Sequence, residues 1–155
     1  MAYWLFKSEP DEYSLQDLMA EPNGVARWDG IRNYQARNLI RDHIKVGDQV
    51  FIYHSRCKLI GVAGIAKVVS DSYPDPAQFN VDSPYFDPKS TQQDPKWYCV
   101  DVEAVTAFDT VVPLKQIKQQ PELQDMVLLK QGRLSVQAVT VNEWQVVVNL
   151  ASNKK

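Results

Sequence analysis

Five short runs rich in β-branched and aromatic residues most constrain what this chain can fold into. They predict strands over residues 3–7, 49–54, 61–70, 97–108 and 134–139. The connections between them are too irregular for repeated βαβ units, which argues against a parallel sheet. The pattern favours an α+β fold, with a mixed, mostly antiparallel small β-barrel and peripheral helices.

Short helices are predicted around these strands, over residues 15–19, 33–43, 114–119, 122–129 and from 141 to about 148. Ser14 is expected to cap the first helix. In the second, Ala36, Ile40 and His43 share one face, so His43 is expected to face the core. Thr140 and Glu143 fit a capping box that opens the last helix. Residues 72–95, rich in Pro, Asp and Ser, are predicted to form a long irregular loop.

The length of 155 residues suits one domain, assigned to residues 1–152, with residues 153–155 as a C-terminal tail. No run reaches the roughly 18 apolar residues of a membrane helix. A signal peptide is not indicated either, because no basic stretch precedes a long apolar one. A soluble, cytoplasmic protein without membrane association is therefore expected.

Cysteine spacing and net charge narrow the function classes further. Cys57 and Cys99 match no CxxC spacing, so plain thiols are expected, with no metal and no cofactor. The net charge of −2 argues against a broad grip on backbone phosphates. Positive charge is nevertheless concentrated locally, at Arg27, Arg32, Arg37, Arg41 and Lys45, followed by Arg56 and Lys58.

Six blocks in order along the chain resemble the EVE domain family. They are residues 3–10 (YWLFKSEP), 28–38 (WDGIRNYQARN), 45–55 (KVGDQVFIYHS), 61–75 (GVAGIAKVVSDSYPD), 97–102 (WYCVDV) and 132–136 (GRLSV). The resemblance implies a PUA-like β-barrel flanked by helices. It also implies a pocket for a flipped, modified base, with modified cytosines as the best-supported ligands, in DNA or RNA. Because no N-terminal extension precedes the first block, the chain resembles bacterial members.

A base-reading pocket needs aromatic faces, and stacking a base on one is worth about 1–3 kcal/mol. Trp28, in a polar turn before the second helix, and Trp97, at the start of a strand, are the candidates. Either indole could instead pack structurally against the barrel. Asn33, Tyr34 and Asn38 could line the same pocket, since an amide offers both a donor and an acceptor to a base edge. Asn33 is equally a suitable helix N-cap.

The resemblance places two strand ends near the pocket. Tyr53, His54 and Ser55 end one strand, where His54 and Ser55 could bind a base or phosphate, or merely serve as a surface histidine and a cap. Lys7, Ser8 and Glu9 end another, where Glu9 could accept from an exocyclic amine or pair with a nearby cation. The pocket rim or phosphate contacts are predicted to be Lys7, Ser8, Glu9, Arg32, Arg37, Arg133 and Ser135.

The expected function is a reader module that binds nucleic acid and does no chemistry. A small hydrolase based on His54 and Ser55 is the less favoured enzyme alternative, because adjacent strand residues point to opposite faces. The sequence also lacks a G-x-S-x-G elbow and a P-loop. A protein-interaction module within a nucleic-acid-associated complex is the other alternative, with residues 72–95 as its contact surface.

Overall fold

The computed structural model describes residues 1–152 as one α+β unit. The strands are β1 (Tyr3–Ser8), β2 (Val25–Trp28), β3 (Gln49–His54), β4 (Gly61–Val68), β5 (Tyr73–Pro74), β6 (Tyr98–Pro113) and β7 (Val136–Val139). The α-helices are α1 (Leu15–Ala20), α2 (Tyr34–Asp42), α3 (Leu114–Lys118), α4 (Val127–Lys130) and α5 (Val141–Ser152). Short 3₁₀ turns lie at Pro22–Gly24, Pro76–Phe79 and Pro121–Leu123. The expected tail, residues 153–155, lies outside the described residues.

The strands form one mixed sheet in the order β2-β6-β4-β3-β1-β7, with β5 paired to β6. Within residues 1–152, β1 and β3 are parallel and every other strand pair is antiparallel. The prediction of a mixed, mostly antiparallel sheet is thereby confirmed. Closure into a barrel is not confirmed, because the pairing runs as an open path from β2 to β7.

Alternating side chains place two hydrophobic cores on opposite faces of the sheet. In β1, Trp4 and Phe6 pack in one core with residues of α1 and α2. Leu5, between them, packs in the other core with residues of α3, α4 and α5. Because helices cover both faces, the central strands are continuous apolar runs rather than alternating ones.

Several details differ from the sequence-based expectation. Strand β5 and a 3₁₀ turn lie within the predicted irregular loop, and β4 and β7 are each two residues shorter than predicted. Strand β2 ends at Trp28 and pairs with β6, where a polar turn was predicted. Strand β6 extends five residues past the predicted end at 108, to Pro113. The helix predicted over 122–129 is divided between a 3₁₀ turn and α4. His43 is exposed at the C-cap of α2, and Ile44, one residue on, packs in the core instead.

The helix starts follow the predicted capping chemistry. Ser14 and Asp17 form a capping box at α1. Thr140 and Glu143 form the expected reciprocal pair at α5, with bonds of 3.0 and 3.2 Å. These side chains satisfy backbone N–H groups that have no partner within the helix.

The described part of the chain contains neither a membrane-spanning helix nor a cluster of metal-binding side chains. None of the helices there is long and apolar enough to cross a membrane. No group of three or more His, Cys, Asp or Glu side chains in residues 1–152 could hold a metal ion. Cys57 and Cys99 are both free thiols, as expected, and burial raises the pKa of Cys99 to about 12.

Gly64 sits where the register between β4 and β6 shifts. A Cβ at this position would overlap the Thr106 carbonyl oxygen and lie 2.9 Å from Ala107 Cα and 2.6 Å from Leu15 Cδ2. The absence of a side chain at residue 64 therefore allows the bulged strand to approach its neighbour and α1.

We expect Gly64→Ala to lower the free energy of unfolding by about 2–3 kcal/mol, because backbone atoms of β6 must move to admit the methyl group. Gly132→Ala is the matched control, since a Cβ there would meet only Leu128 O, at 3.9 Å. Urea denaturation of both variants measures the difference. Equal stability of the two variants would contradict this account of the bulge.

His54 anchors the start of α1 from the end of β3. Its Nε2 accepts the backbone N–H of Leu15 at 3.1 Å, and burial lowers the pKa of the imidazole. A histidine with a lowered folded pKa contributes stability above its unfolded pKa of about 6.5 and loses that contribution as pH falls through the folded value.

We therefore expect His54→Gln, whose amide oxygen can still accept this bond, to reduce the pH dependence of stability. The measurement is Tm at pH 7 and pH 5 for both proteins. Wild type should lose more Tm over this interval than the variant. The same loss in both proteins would show that His54 does not titrate in this way.

Candidate nucleic-acid interface

Two adjoining cavities open where β1 ends. The first, of about 490 Å³, is lined by Lys7, Ser8, Glu9, Glu12, Tyr13, Glu21, Ala26, Arg27, Trp28, Asp29, Gly30, Ile31, Tyr85 and Ser135. The second, of about 630 Å³, is lined by Lys7, Ser8, Glu9, Glu12, Ser55, Arg56, Gly132, Arg133 and Ser135. The five residues common to both cavities form a shared wall.

Backbone hydrogen bonds fix this shared wall at the end of β1. The N–H of Ser55 donates to Ser8 O at 2.9 Å, which ties in the end of β3. The N–H of Lys7 donates to Ser135 O at 2.9 Å, which ties in the segment before β7. Glu9 O then accepts from the N–H groups of Glu12 and Tyr13, turning the chain toward α1. Three distant segments therefore meet around Ser8.

Trp28 forms an aromatic part of the first cavity but is only 6% exposed. Its ring centroid lies 5.6 Å from that of Phe6 and 6.0 Å from that of Tyr13, which meets it edge-on. Tyr13 is held in turn by donating its hydroxyl to Glu21 Oε2 at 2.9 Å. Trp28 is thus both a core residue and the floor of the cavity.

Tyr85, which the sequence analysis missed, supplies a more exposed aromatic wall. The side chain is 39% exposed and lies directly over Gly30, where a Cβ would be 2.8 Å from Tyr85 Cζ. Gly30 has a φ of 80°, a conformation that glycine adopts without strain. Arg32 donates to Tyr85 O at 2.8 and 3.1 Å and so fixes the loop against the turn.

Charge is distributed unequally between the cavities. The first carries four carboxylates, Glu9, Glu12, Glu21 and Asp29, against Lys7 and Arg27. Loss of hydration, with a smaller contribution from the Asp75 carboxylate, raises the pKa of Asp29. The second cavity adds the cations Arg56 and Arg133. The first cavity is therefore suited to amine donors and the second to an anion.

Lys7 and Ser8 lie between these environments. Burial lowers the pKa of Lys7, whose Nζ donates to Gly132 O and lies 5.2 Å from the centre of the Tyr53 ring. The Oγ atom of Ser8 is buried and has no hydrogen-bond partner within residues 1–152. A buried hydroxyl without a partner is costly, by about 1–3 kcal/mol, and a bound ligand can remove that cost.

Most residues predicted for the rim do line a cavity. Lys7, Ser8, Glu9 and Ser135 line both, and Arg133 lines the second. Ser55, which was predicted for the base pocket, also lines the second cavity. Arg32 and Arg37 do not. Arg32 is bound to the loop over 72–95 through Asp75 and Tyr85 O. Arg37 donates to Lys96 O, just after that loop, at 2.7 Å.

Trp97 does not join Trp28 at either cavity, so the expected convergence of the two indoles is not found. Trp97 is 6% exposed, its Nε1 donates to Asp87 Oδ2 at 2.8 Å, and Tyr34 stacks on it at 4.7 Å. These contacts use the indole to fasten the loop to α2. Tyr34 is correspondingly occupied by this stacking.

Four other residues predicted for the base pocket make structural contacts away from both cavities: Asn33, Asn38, Tyr53 and His54. Asn33 caps α2 by accepting from Ala36 N at 3.0 Å, which is the alternative that its position suggested. Asn38 is exposed and accepts from Arg37 Nε at 2.9 Å. Tyr53 is buried in the second core, and burial raises its pKa to about 12, while His54 is buried against α1.

Several lining residues went unassigned in the sequence. Asp29 and Gly30 lie inside the WDG block, so the block itself was a usable signal. Arg56 follows a strand end, and its only signal in the sequence is its contribution to the local positive charge. Tyr85 carries no local signal, because its place is set by contact with Gly30 across more than fifty residues.

Comparison with known proteins identifies relatives over nearly the whole chain. The EVE domain family matches residues 2–150. Thymocyte nuclear protein 1 of Mus musculus is 41% identical, over 96% of this chain and 73% of that protein. A crystal structure of human THYN1 in complex with DNA containing 5-methylcytosine matches with a TM-score of 0.95 and 38% identity, over 100% of both chains. A crystal structure of a Pseudomonas syringae protein matches with a TM-score of 0.92 and 46% identity, over 97% of this chain and 99% of that one.

The order of strands and helices, the blocks around Trp28 and Ser8, and these matches agree with one another. The chain belongs to the EVE domain family.

Proposed function

We propose that this chain binds DNA carrying a modified cytosine, with the base turned out of the helix into the first cavity, and that it does so without catalysis. The observation that carries the proposal is the human relative, which matches the entire chain and was solved with DNA containing 5-methylcytosine. The cavity of about 490 Å³ falls in the usual size range for small-ligand sites.

The first cavity has the chemistry that a cytosine requires. Trp28 and Tyr85 offer aromatic surface on the floor and on one wall. Carboxylates accept hydrogen bonds from the exocyclic amine of cytosine, and two that line the cavity, Asp29 and Glu9, support this contact. A keto group at the same position, as in thymine or uracil, would face carboxylates without donating to them.

Catalysis by His54 and Ser55 has little geometric support. A serine nucleophile needs a base with a free nitrogen within hydrogen-bond reach. The Nε2 of His54 is occupied by Leu15 N–H, and Ser55 Oγ lies 3.4 Å from the Ser8 carbonyl oxygen. The proposed role is therefore recognition only.

Residues 72–95 support this function over a separate protein-interaction surface. The segment contributes Tyr85 to the cavity and is tied to the turn at Gly30 and Arg32. In the proposed mode the segment helps to form the base site.

We expect Tyr85→Ala to weaken binding to a duplex with one 5-methylcytosine by roughly 5–100-fold. This factor corresponds to the free energy of stacking one base on an aromatic side chain. Phe86→Ala is the matched control, since the neighbouring Phe86 is also exposed, at 37%, but does not line the cavity. Fluorescence anisotropy with methylated DNA, unmethylated DNA and methylated RNA of the same sequence measures the effect.

Wild type should prefer the methylated duplex. If it binds all three nucleic acids alike, the proposed function fails. If RNA carrying the same modification binds better than the DNA, the base site stands but the carrier is RNA. Equal losses in Tyr85→Ala and Phe86→Ala would remove Tyr85 from the pocket.

The raised pKa of Asp29 gives a pH test of the same pocket. The ionised carboxylate accepts through both oxygens, whereas protonation turns one oxygen into a donor that faces the amine. Affinity should therefore be full above the raised pKa and fall as pH decreases through it. In Asp29→Asn, affinity at neutral pH should drop several-fold and its pH dependence should flatten. Titration of binding from pH 8 down to pH 4, close to the ordinary pKa of an aspartate, measures both effects. An unchanged pH profile in the variant would exclude Asp29 as the responsible group.

A further inference from the structure

Two of the six arginines stand apart from the rest in having no partner within the described chain. Arg27 and Arg41 donate to Tyr73 Oη and Asp42. Arg32 donates to Tyr85 O in the loop over 72–95, and Arg37 donates to Lys96 O just after that loop. Within residues 1–152, Arg56 and Arg133 have no hydrogen bond or ion pair from the side chain. Both line the second cavity, although they come from distant segments of the chain.

The backbone at Arg56 is a second unusual feature of this cavity. Arg56 has a φ of 54°, in the left-handed region that costs free energy for a residue with a long side chain. The preceding residue is fixed, because Ser55 N–H donates to Ser8 O. Strained residues that are held in this way cluster at ligand sites, where the conformation aims a side chain.

The third feature is the polar lining between the two arginines and the first cavity. Ser8 Oγ is buried without a partner within the described residues, and Ser55 lines the same space. Lys7 adds a cation, while Glu9 and Glu12 on the shared wall are the anionic groups. Guanidinium and hydroxyl donors are the groups that bind phosphate oxygens. The carboxylates lie on the wall that also faces the first cavity.

We propose that Arg56 and Arg133 bind the phosphodiester group next to the nucleotide whose base enters the first cavity. The inference rests on the proposed function, since the first cavity must hold a base for the second to receive its phosphate. The shared wall of Lys7, Ser8, Glu9, Glu12 and Ser135 puts the two sites side by side, as a base and its own backbone require.

This arrangement makes a specific prediction about what each site contributes. Phosphate contacts position a nucleic acid but carry no information about the base. Loss of either arginine should therefore weaken binding to modified and unmodified DNA by the same factor. The preference for the modified base, set in the first cavity, should be unchanged.

The test measures binding of Arg56→Gln and Arg133→Gln to methylated and unmethylated duplexes across a salt series. We expect each variant to bind roughly tenfold more weakly at low salt, as for loss of a hydrogen bond between charged groups. The slope of log K against log salt should fall by about one for each arginine removed. Arg41→Gln is the matched control, because Arg41 is exposed but lines neither cavity.

Arg56→Asn separates binding from folding. Asparagine tolerates the left-handed backbone better than arginine, so this variant should keep or raise Tm while binding as weakly as Arg56→Gln. If Arg56→Gln and Arg133→Gln both keep the affinity and salt slope of wild type, the phosphate site is overturned. A changed preference for the modified base would also overturn it, since the arginines would then read the base.

The two proposals fail in different ways. If wild type shows no preference for the methylated duplex but both arginine variants lose affinity and salt slope, the base-reading function fails. The two arginines then bind DNA phosphates, but not beside a base held in the first cavity. If wild type shows the preference and the arginine variants match it in affinity, the function stands and the phosphate site fails.

Discussion

The buried carboxylate of Asp75 holds together the parts of the molecule that make the first cavity. Asp75 is 0% exposed and accepts from Gly30 N at 2.9 Å, Arg32 Nη1 at 3.0 Å and Ala77 N at 2.8 Å. A buried charge is tolerated only when paired and hydrogen-bonded, so these three donors must stay in place. The turn after β2 and the loop over 72–95 are thereby locked together, which sets Tyr85 over Gly30.

The sheet supplies the opposite wall by a different means. The parallel pairing of β1 with β3 brings Ser8 level with His54, so both strands end at one edge of the sheet. Side chains that follow them, Glu9 and Ser55, then face the same space. The site therefore depends on one sheet edge and one loop, and Asp75 and Arg32 hold that loop by hydrogen bonds.

Local patterns in the sequence are sufficient to predict most helices and strands. They also predict the cavity-lining residues that follow β1 and β3 at the edge of the sheet. Residues 49–54 and the cap at Ser14 depend on neighbouring residues alone, and both were predicted correctly. Trp97 and Tyr85 depend on contacts that are distant in sequence. A tryptophan at a strand start could line a pocket or pack structurally against a loop. Only the hydrogen bond from Trp97 to Asp87 distinguishes these two roles. Strand β2 was missed because VARW is short and carries an exposed arginine, so its pairing with β6 is its main support.

The separation of charge between the cavities explains how a chain of net charge −2 could bind nucleic acid in the proposed mode. A broad basic face would bind any backbone, whatever its bases. Here four arginines donate to other parts of the chain, and the other two, Arg56 and Arg133, line the second cavity, where the proposal puts a single phosphate. Carboxylates in the first cavity would repel a phosphate there and favour an amine-bearing base. In this mode, phosphate contacts contribute little affinity, and the choice between modified and unmodified DNA depends mainly on contacts with the base. A protein that reads a base modification needs this balance between phosphate and base contacts.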